Sequence, residues 1–288
     1  MKMKYSIAGL QVEMVGKQTL ELISKLPGFD MFKTSNQNEN NIDIHIYMDE
    51  DVKTDYLTDV RSIHSFRVLD IEHVFSQSKE GYLFEMCKQD GRKIVSIIYN
   101  TQGNKVFMSS CNCIMSAKYA IWVAYMLSAV EKKIVPIHAS SIVKDSKAVL
   151  FLGESGTGKS THTGLWMEYI KDSYLLNDDS PLLYVKDDMV FVYGSPWSGK
   201  THCYRQEGVP VKAIVRLRQY PENIISHHDK LGSIGAIHPS LPPFLAYDGS
   251  FSEKLLSMID LIIRHIPIYE LKCLPDKNAA EIAYSTIY

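Results

Sequence analysis

The feature that most narrows what this chain can fold into is the octapeptide Gly153-Glu154-Ser155-Gly156-Thr157-Gly158-Lys159-Ser160. It has the G-x-x-x-x-G-K-[ST] spacing of a phosphate-binding P-loop, the Walker A string, which works only between a strand and a helix. The flanks comply. Ala148 to Leu152 is a short apolar run with strand character, and Ser160 to Ile170 carries Thr161, Leu165, Trp166 and Ile170 with no proline and no glycine but Gly164. The glycines let the backbone turn tightly and aim successive N–H groups at phosphate oxygens, and the helix start adds its positive dipole end. Gly153 to Thr161 is thus the expected nucleotide-binding stretch, with Lys159 reaching the β- and γ-phosphates and the Ser160 hydroxyl holding Mg²⁺. A ligand-free glycine-rich turn is the plainer alternative.

A second string, Gly194-Ser195-Pro196-Trp197-Ser198-Gly199-Lys200-Thr201, satisfies the same pattern letter for letter. It follows a plausible strand, Met189 to Tyr193, but Cys203, Tyr204, Gly208 and Pro210 come next and cannot continue as a helix. Without a helix there is no dipole end for phosphates. The string reads as an active-site loop with Lys200 a candidate phosphate or substrate contact, or as a surface hairpin tip with an exposed lysine.

Tyr174 to Asp179 is an apolar strand ending in two adjacent carboxylates. Asp178 lies 18 residues after Ser160, room for one helix and a turn before the chain re-enters the sheet. An acidic residue at such a strand end commonly holds Mg²⁺, and a second beside it can act as a base. Successive strand residues face opposite sides, so Asp178 and Asp179 both reach one site only if the strand ends between them. Turn chemistry alone would also explain Asn-Asp-Asp-Ser-Pro. Ile134 to Val143 reads as a strand interrupted by Pro136 and His138, and the turn at Lys144 to Lys147 brings His138 back toward the glycine loop. Arg216 and Arg218 lie on one face of a strand over Val211 to Leu217 or just past its end, where they would stabilise transferred charge or form surface ion pairs.

Residues 1–115 have a strand-and-turn texture: Tyr5 to Val12, Ile42 to Met48, Arg67 to Phe75, Tyr82 to Cys87, Lys93 to Tyr99 and Val106 to Ser110, the later ones spaced as an antiparallel meander. A short helix is expected over Gly16 to Lys25, a polar loop over Thr34 to Asn41, and an apolar helix over Met115 to Val130 packed on the sheet that follows. Beyond the carboxylates, Gly232 to Pro243 reads as loop, Phe251 to His265 as helix, Ile266 to Leu274 as strand and Asp276 to Ile287 as a helix capped by Asp276 or Asn278. That last strand and helix would cover one edge of the nucleotide site, and no residue there specifies a base.

The formal net charge is -2, with 31 Lys and Arg against 33 Asp and Glu, and no basic run is present, so a nucleic-acid role is not expected. No apolar stretch approaches membrane-spanning length and no leader is evident, so a soluble cytoplasmic protein is expected, without membrane contact. The five cysteines are scattered and read as reduced thiols, since Cys111, Cys113 and one histidine fall short of a zinc shell. The sequence leaves homo-oligomerisation open.

Taken in order, Ile137-His138-Ala139-Ser140, the string Gly153 to Ser160 and Leu176-Asn177-Asp178-Asp179 resemble the catalytic domain of HPr kinase/phosphorylase. The resemblance covers residues 116–288, and the glycine string also resembles that of ATP-dependent phosphoenolpyruvate carboxykinase, a relative of shared fold. It implies an α+β or α/β fold: a mixed, largely antiparallel P-loop kinase sheet preceded by a small β-rich domain at 1–115. It also implies ATP, Mg²⁺ and phosphoryl transfer to a hydroxyl. Position by position, Asp178 corresponds to the general base, Asp179 and Ser160 to metal contacts, Lys159 to the phosphate contact and His138 to the histidine near the transferred phosphate. Two departures, Thr161 in place of a glutamate and the 194–201 string in place of a glycine-rich signature, point away from HPr itself as acceptor and from the reverse phosphorylase reaction. The expected protein is therefore a kinase acting on a serine-like hydroxyl of a protein, peptide or small molecule. Its rivals are a non-catalytic nucleotide-binding regulatory module and a carboxykinase-like lyase with Arg205, Arg216 or Arg218 as carboxylate contact.

Overall fold

Alternating apolar residues in the first third of the chain build one sheet, and those around the glycine string build another. The computed structural model describes residues 1–34, 41–50, 52 and 57–288. They divide into two compact units, 1–132 with 244–252 and 133–243 with 253–288. Each carries a mixed sheet, so the architecture is α+β. The polar loop expected over Thr34 to Asn41 lies, apart from its two ends, outside the described residues.

In the first unit, β1 (Lys2–Ile7), β2 (Leu10–Val15), α1 (Gln18–Ser24), α2 (Pro27–Asp30) and β3 (Ile44–Glu50) are followed by β4 (Arg61–Val68), β5 (Ile71–Gln77), β6 (Gly81–Lys88), β7 (Lys93–Asn100), β8 (Lys105–Ser109) and α3 (Ile114–Ala129). The sheet order is β1-β2-β3-β8-β7-β6-β5-β4, with β2–β3 and β3–β8 parallel. Two stretches read as single strands are hairpins. Tyr5 to Val12 folds back at Ala8 and Gly9 (φ 50° and 81°), and Arg67 to Phe75 at Leu69 (φ 52°), whose side chain is 90% exposed. Left-handed residues make such two-residue turns, and neither Ala-Gly nor Leu-Asp advertises one as Asn-Gly does. The helix α3 packs against β3, β7 and β8 of its own unit. Most of its residues are buried, so it offers no polar face from which the sequence could choose a side.

The second unit runs β9 (Ile134–Pro136), β10 (Ala139–Lys144), β11 (Lys147–Leu152), α4 (Lys159–Tyr169), β12 (Tyr174–Asp179), β13 (Leu182–Lys186), β14 (Met189–Tyr193), β15 (Gly208–Gln219), β16 (Ile224–His227), α5 (Lys230–Ile237), α6 (Gly249–His265), β17 (Ile268–Cys273) and α7 (Lys277–Ile287), with α6 beginning in the first unit. The main path is β12-β10-β11-β15-β14-β13-β9. The long strand β15 joins two partnerships: its first residues pair antiparallel with β14, and its later ones lie parallel to β11 and β17. One face is sealed by Phe151, Val215, Leu217 and Leu271 against Trp166 of α4 and Ala280, Ala283 and Ile287 of α7. Pro136 and His138 split the expected Ile134–Val143 strand into β9 and β10, which serve different neighbours. The expected loop at Gly232 to Pro243 contains most of α5, because Asp229 caps it by accepting from Gly232 N at 2.7 Å while Ala236 and Ile237 are buried. Among the described residues no helix is long and apolar enough to cross a membrane.

Candidate functional site

Strand register collects the sequence-derived candidates along one edge of the second sheet. Ala139 at the start of β10 pairs with both Leu152 and Asp179, so His138, Gly153 and the end of β12 are neighbours. On the other side of β11, Leu152 pairs with Arg216, which places the arginine end of β15 at the same edge.

The loop Gly153–Gly158 leads into α4 with Gly158 as its N-cap, at φ 107°, and Gly156 is also left-handed, at 82°. A Cβ built on either would meet nothing within 4 Å, so the glycines there serve conformation rather than close packing. Thr157 braces the turn by donating its hydroxyl to Glu154 O at 2.6 Å. Lys159 is buried and donates Nζ to Gly153 O at 2.8 Å and Glu154 O at 3.2 Å. Burial lowers its pKa; Asp179 and Asp178 oppose that shift and Arg216 adds to it. Both carboxylates and the arginine therefore act on this one ammonium.

The two aspartates meet the problem of strand alternation by a backbone twist. Asp178 is buried and accepts from Ser160 Oγ at 2.9 and 3.1 Å. Asp179 has φ 102°, a left-handed value that breaks the alternation, and its Oδ1 lies 3.6 Å from His138 Nε2. Partial burial and then Lys159 push the His138 pKa down against the pull of Asp179 and Asp178; the side chain is 44% exposed, so solvent softens each of these effects.

The second G-x-x-x-x-G-K-T string is fastened to the aspartates. No helix follows it, and the chain runs irregularly to β15. Gly199 N donates to Asp178 O at 2.8 Å, Ser198 forms an isolated bridge with Asp179, and Thr201 N approaches Asp178 Oδ2 at 3.4 Å. The glycines here do different work from those at 156 and 158: a Cβ on Gly199 would stand 2.9 Å from the Asp179 Cβ, so close approach requires the residue. Lys200, between Gly199 and Thr201, is exposed. What spacing did not reveal is Asn177. It is fully buried, its Oδ1 accepts from Ser180 N, and its Nδ2 faces Ser195 O, Ser195 Oγ, Trp197 O and Cys203 O at 3.1 to 3.4 Å. Its place in the Leu176-Asn177-Asp178-Asp179 string, ahead of two carboxylates, is the sequence signal for it.

Of the arginines, Arg216 donates to Ala236 O at 3.0 Å, Arg218 is exposed with Glu270 at 3.9 Å, and both line a cleft with Glu154, Ser155 and Thr157. Arg205 is committed elsewhere, donating to Leu175 O at 2.8 Å and lying 4.9 Å from the Tyr174 ring. Phosphate oxygens placed at this loop would offer Lys159 charged acceptors in place of the Gly153 and Glu154 carbonyls. Among the described residues no cluster of three His, Cys, Asp or Glu could hold a metal unaided. Mg²⁺ takes one or two carboxylates together with phosphate and water oxygens, and Asp178, Asp179 and Ser160 are the donors suited to that sharing.

No family model matches the chain, and no curated protein matches it. Among solved structures, the Hpr(Ser) kinase/phosphatase from Coxiella burnetii is similar over 52% of this chain and 91% of that one, at 14% identity and a TM-score of 0.30. A likeness at that score leaves the reading of the site to its own geometry.

Proposed function

We propose that the second unit is an ATP- and Mg²⁺-dependent kinase that transfers the γ-phosphate to a hydroxyl of a protein, peptide or small molecule. The observation that carries this reading is the hydrogen bond from Ser160 to Asp178 at the N-terminus of α4, beside the buried Lys159 and with Asp179 3.6 Å from His138. The residue strings resembling HPr kinase/phosphorylase supply the reaction class.

The roles follow from chemistry. Backbone N–H groups of the loop and Lys159 bind and orient the phosphates, and Asp178 accepts the acceptor hydroxyl's proton as phosphorus is attacked. Asp179 and Ser160 would hold Mg²⁺, which would offset charge on the phosphate oxygens. His138 stands beside Asp179 as a further contact to the transferred group, and Arg216, Arg218 and Lys200 rim the site as contacts for an anionic substrate.

The test is incubation with γ-phosphate-labelled ATP, Mg²⁺ and a bacterial extract split into macromolecular and small-molecule fractions, beside Asp178→Asn. The expected outcome is label in an acceptor of one fraction, lost in the variant. Label in free phosphate only, or nowhere, overturns the kinase reading in favour of a nucleotide-binding module.

A further inference from the structure

The Asp178 carboxylate is contacted by two separate segments. Ser160 Oγ, at the start of α4, reaches it at 2.9 and 3.1 Å, and the Thr201 backbone N–H approaches the same carboxylate at 3.4 Å from the second glycine string. The backbone on both sides of Thr201 is anchored. Gly199 N donates to Asp178 O at 2.8 Å, and the buried Ser198 places its Oγ 2.6 Å from Thr201 O while accepting from Cys203 N at 3.2 Å. Between these anchors Thr201 itself is exposed, and its hydroxyl has no hydrogen-bond partner among the described residues.

We propose that Thr201 is a phosphate acceptor, so that the chain phosphorylates its own 194–201 loop when no other acceptor occupies the site. The inference rests on the kinase reading above and adds to it a modification site on the chain itself. An acceptor oxygen has to come within hydrogen-bond reach of the base, on a segment that the nucleotide does not need. Ser160 belongs to the stretch assigned to phosphates and Mg²⁺, whereas Thr201 belongs to a loop outside it. Other hydroxyls of the two strings are engaged: Thr157 donates to Glu154 O, Ser160 to Asp178, Ser195 to Ser180 O, and Ser198 lies buried between Thr201 O and Asp178 O. A hydroxyl on an anchored loop needs no bimolecular encounter, since folding has already brought it to the reacting centre.

The step balances with the groups already named. Asp178 takes the proton of the Thr201 hydroxyl, the freed oxygen forms a bond to the γ-phosphorus, and the bond from that phosphorus to the β–γ bridging oxygen breaks, so that ADP leaves with the electron pair. The product is a phosphothreonine ester, and the exposed Lys200 is the adjacent cation available to its charge. The last residue of the second G-x-x-x-x-G-K-T string thus has a use different from that of Ser160, the last residue of the first: it receives phosphate instead of holding Mg²⁺. Sequence alone concealed this, because only the folded loop sets Thr201 beside a carboxylate 23 residues earlier in the chain.

The experiment takes the full chain, stripped of phosphate by a phosphatase that is then removed, and incubates it with Mg-ATP and no added acceptor. Intact mass and peptide fragmentation follow the product. One phosphoryl group on Thr201 is expected, formed at a rate per molecule that does not change on dilution, and absent in Thr201→Val and in Asp178→Asn. Thr201→Val, a change at an exposed position, should keep the parent's Mg-ATP affinity in calorimetry; a loss there would make the residue a nucleotide contact and overturn the proposal. Phosphate on another residue, incorporation that survives in Asp178→Asn, or a rate that falls with dilution also overturns it. So does an unmodified chain that labels an acceptor in the bacterial extract, an outcome that leaves the kinase reading standing. An unmodified chain and an unlabelled extract together overturn both.

Discussion

Asn177 links the strand end that carries Asp178 and Asp179 to the 195–203 segment. One buried amide accepts from Ser180 N and faces four oxygens of the 195–203 segment. Removing it forfeits the hydrogen bond accepted at Oδ1 and up to two donated by Nδ2, each worth on the order of 1 kcal/mol. Asn177→Ala should therefore lower unfolding stability by about 3 kcal/mol, read from the urea midpoint, a large effect for one side chain. A loss under about 1 kcal/mol would mean that the loop is held by Gly199 and Ser198 alone. Lys159, Ser160 and Asp178 are legible in the sequence because each belongs to a pattern local in the chain. Apart from Ser180, the partners of Asn177 are not, since they lie 18 to 26 residues away and are chosen by packing. The left-handed backbone at Asp179 is equally hidden, as only the folded strand end shows how neighbouring carboxylates come to serve one place.

At the scale of elements, α4 carries the loop's dipole on one end and a buried core face along its side. His162 is almost wholly inside, its Nε2 accepting from Trp166 Nε1 at 3.3 Å and its ring edge-on to Phe151 at 4.5 Å. Burial depresses its pKa from 6.5 to about 4. A folded value below the unfolded one means that the unfolded chain binds the proton first. This contribution is whole above pH about 6.5 and is lost as the pH falls toward 4, about 3 kcal/mol in total and about 2 kcal/mol by pH 5. His162→Phe cannot take up the proton, so its unfolding free energy should fall less than the parent's between pH 7 and pH 5, by about that 2 kcal/mol, in urea titrations at both pH values. Equal slopes would show that another group governs acid unfolding of this element. Helix α4 and strands β11 and β12 could be read from apolar runs bounded by clear stops. The hairpins at Ala8-Gly9 and Leu69 and the helix α5 could not, because their signals, an alanine or leucine at a turn and a glycine-containing helix, contradict local preference.

For the molecule as a whole, the decisive fact is that one sequence pattern occurs twice in the second unit and folds in two ways. At 153–160 the glycines provide left-handed turns that open onto a helix start; at 194–201 Gly199 permits close packing against a strand end, and no helix follows. Topology then brings both strings to the same sheet edge, one beneath the proposed phosphates and one beside the proposed general base. Lys159 is buried among Asp178, Asp179 and Arg216, whereas Lys200 stands exposed on its loop. The most direct test of this division is a titration of the full chain with Mg-ATP in Lys159→Ala and Lys200→Ala. Lys159→Ala should weaken binding by about 100-fold or more, equivalent to about 3 kcal/mol for a desolvated ammonium against phosphate, and Lys200→Ala should stay within about threefold of the parent. The reverse order, with Lys200 essential and Lys159 dispensable, would contradict the assignment of the nucleotide site.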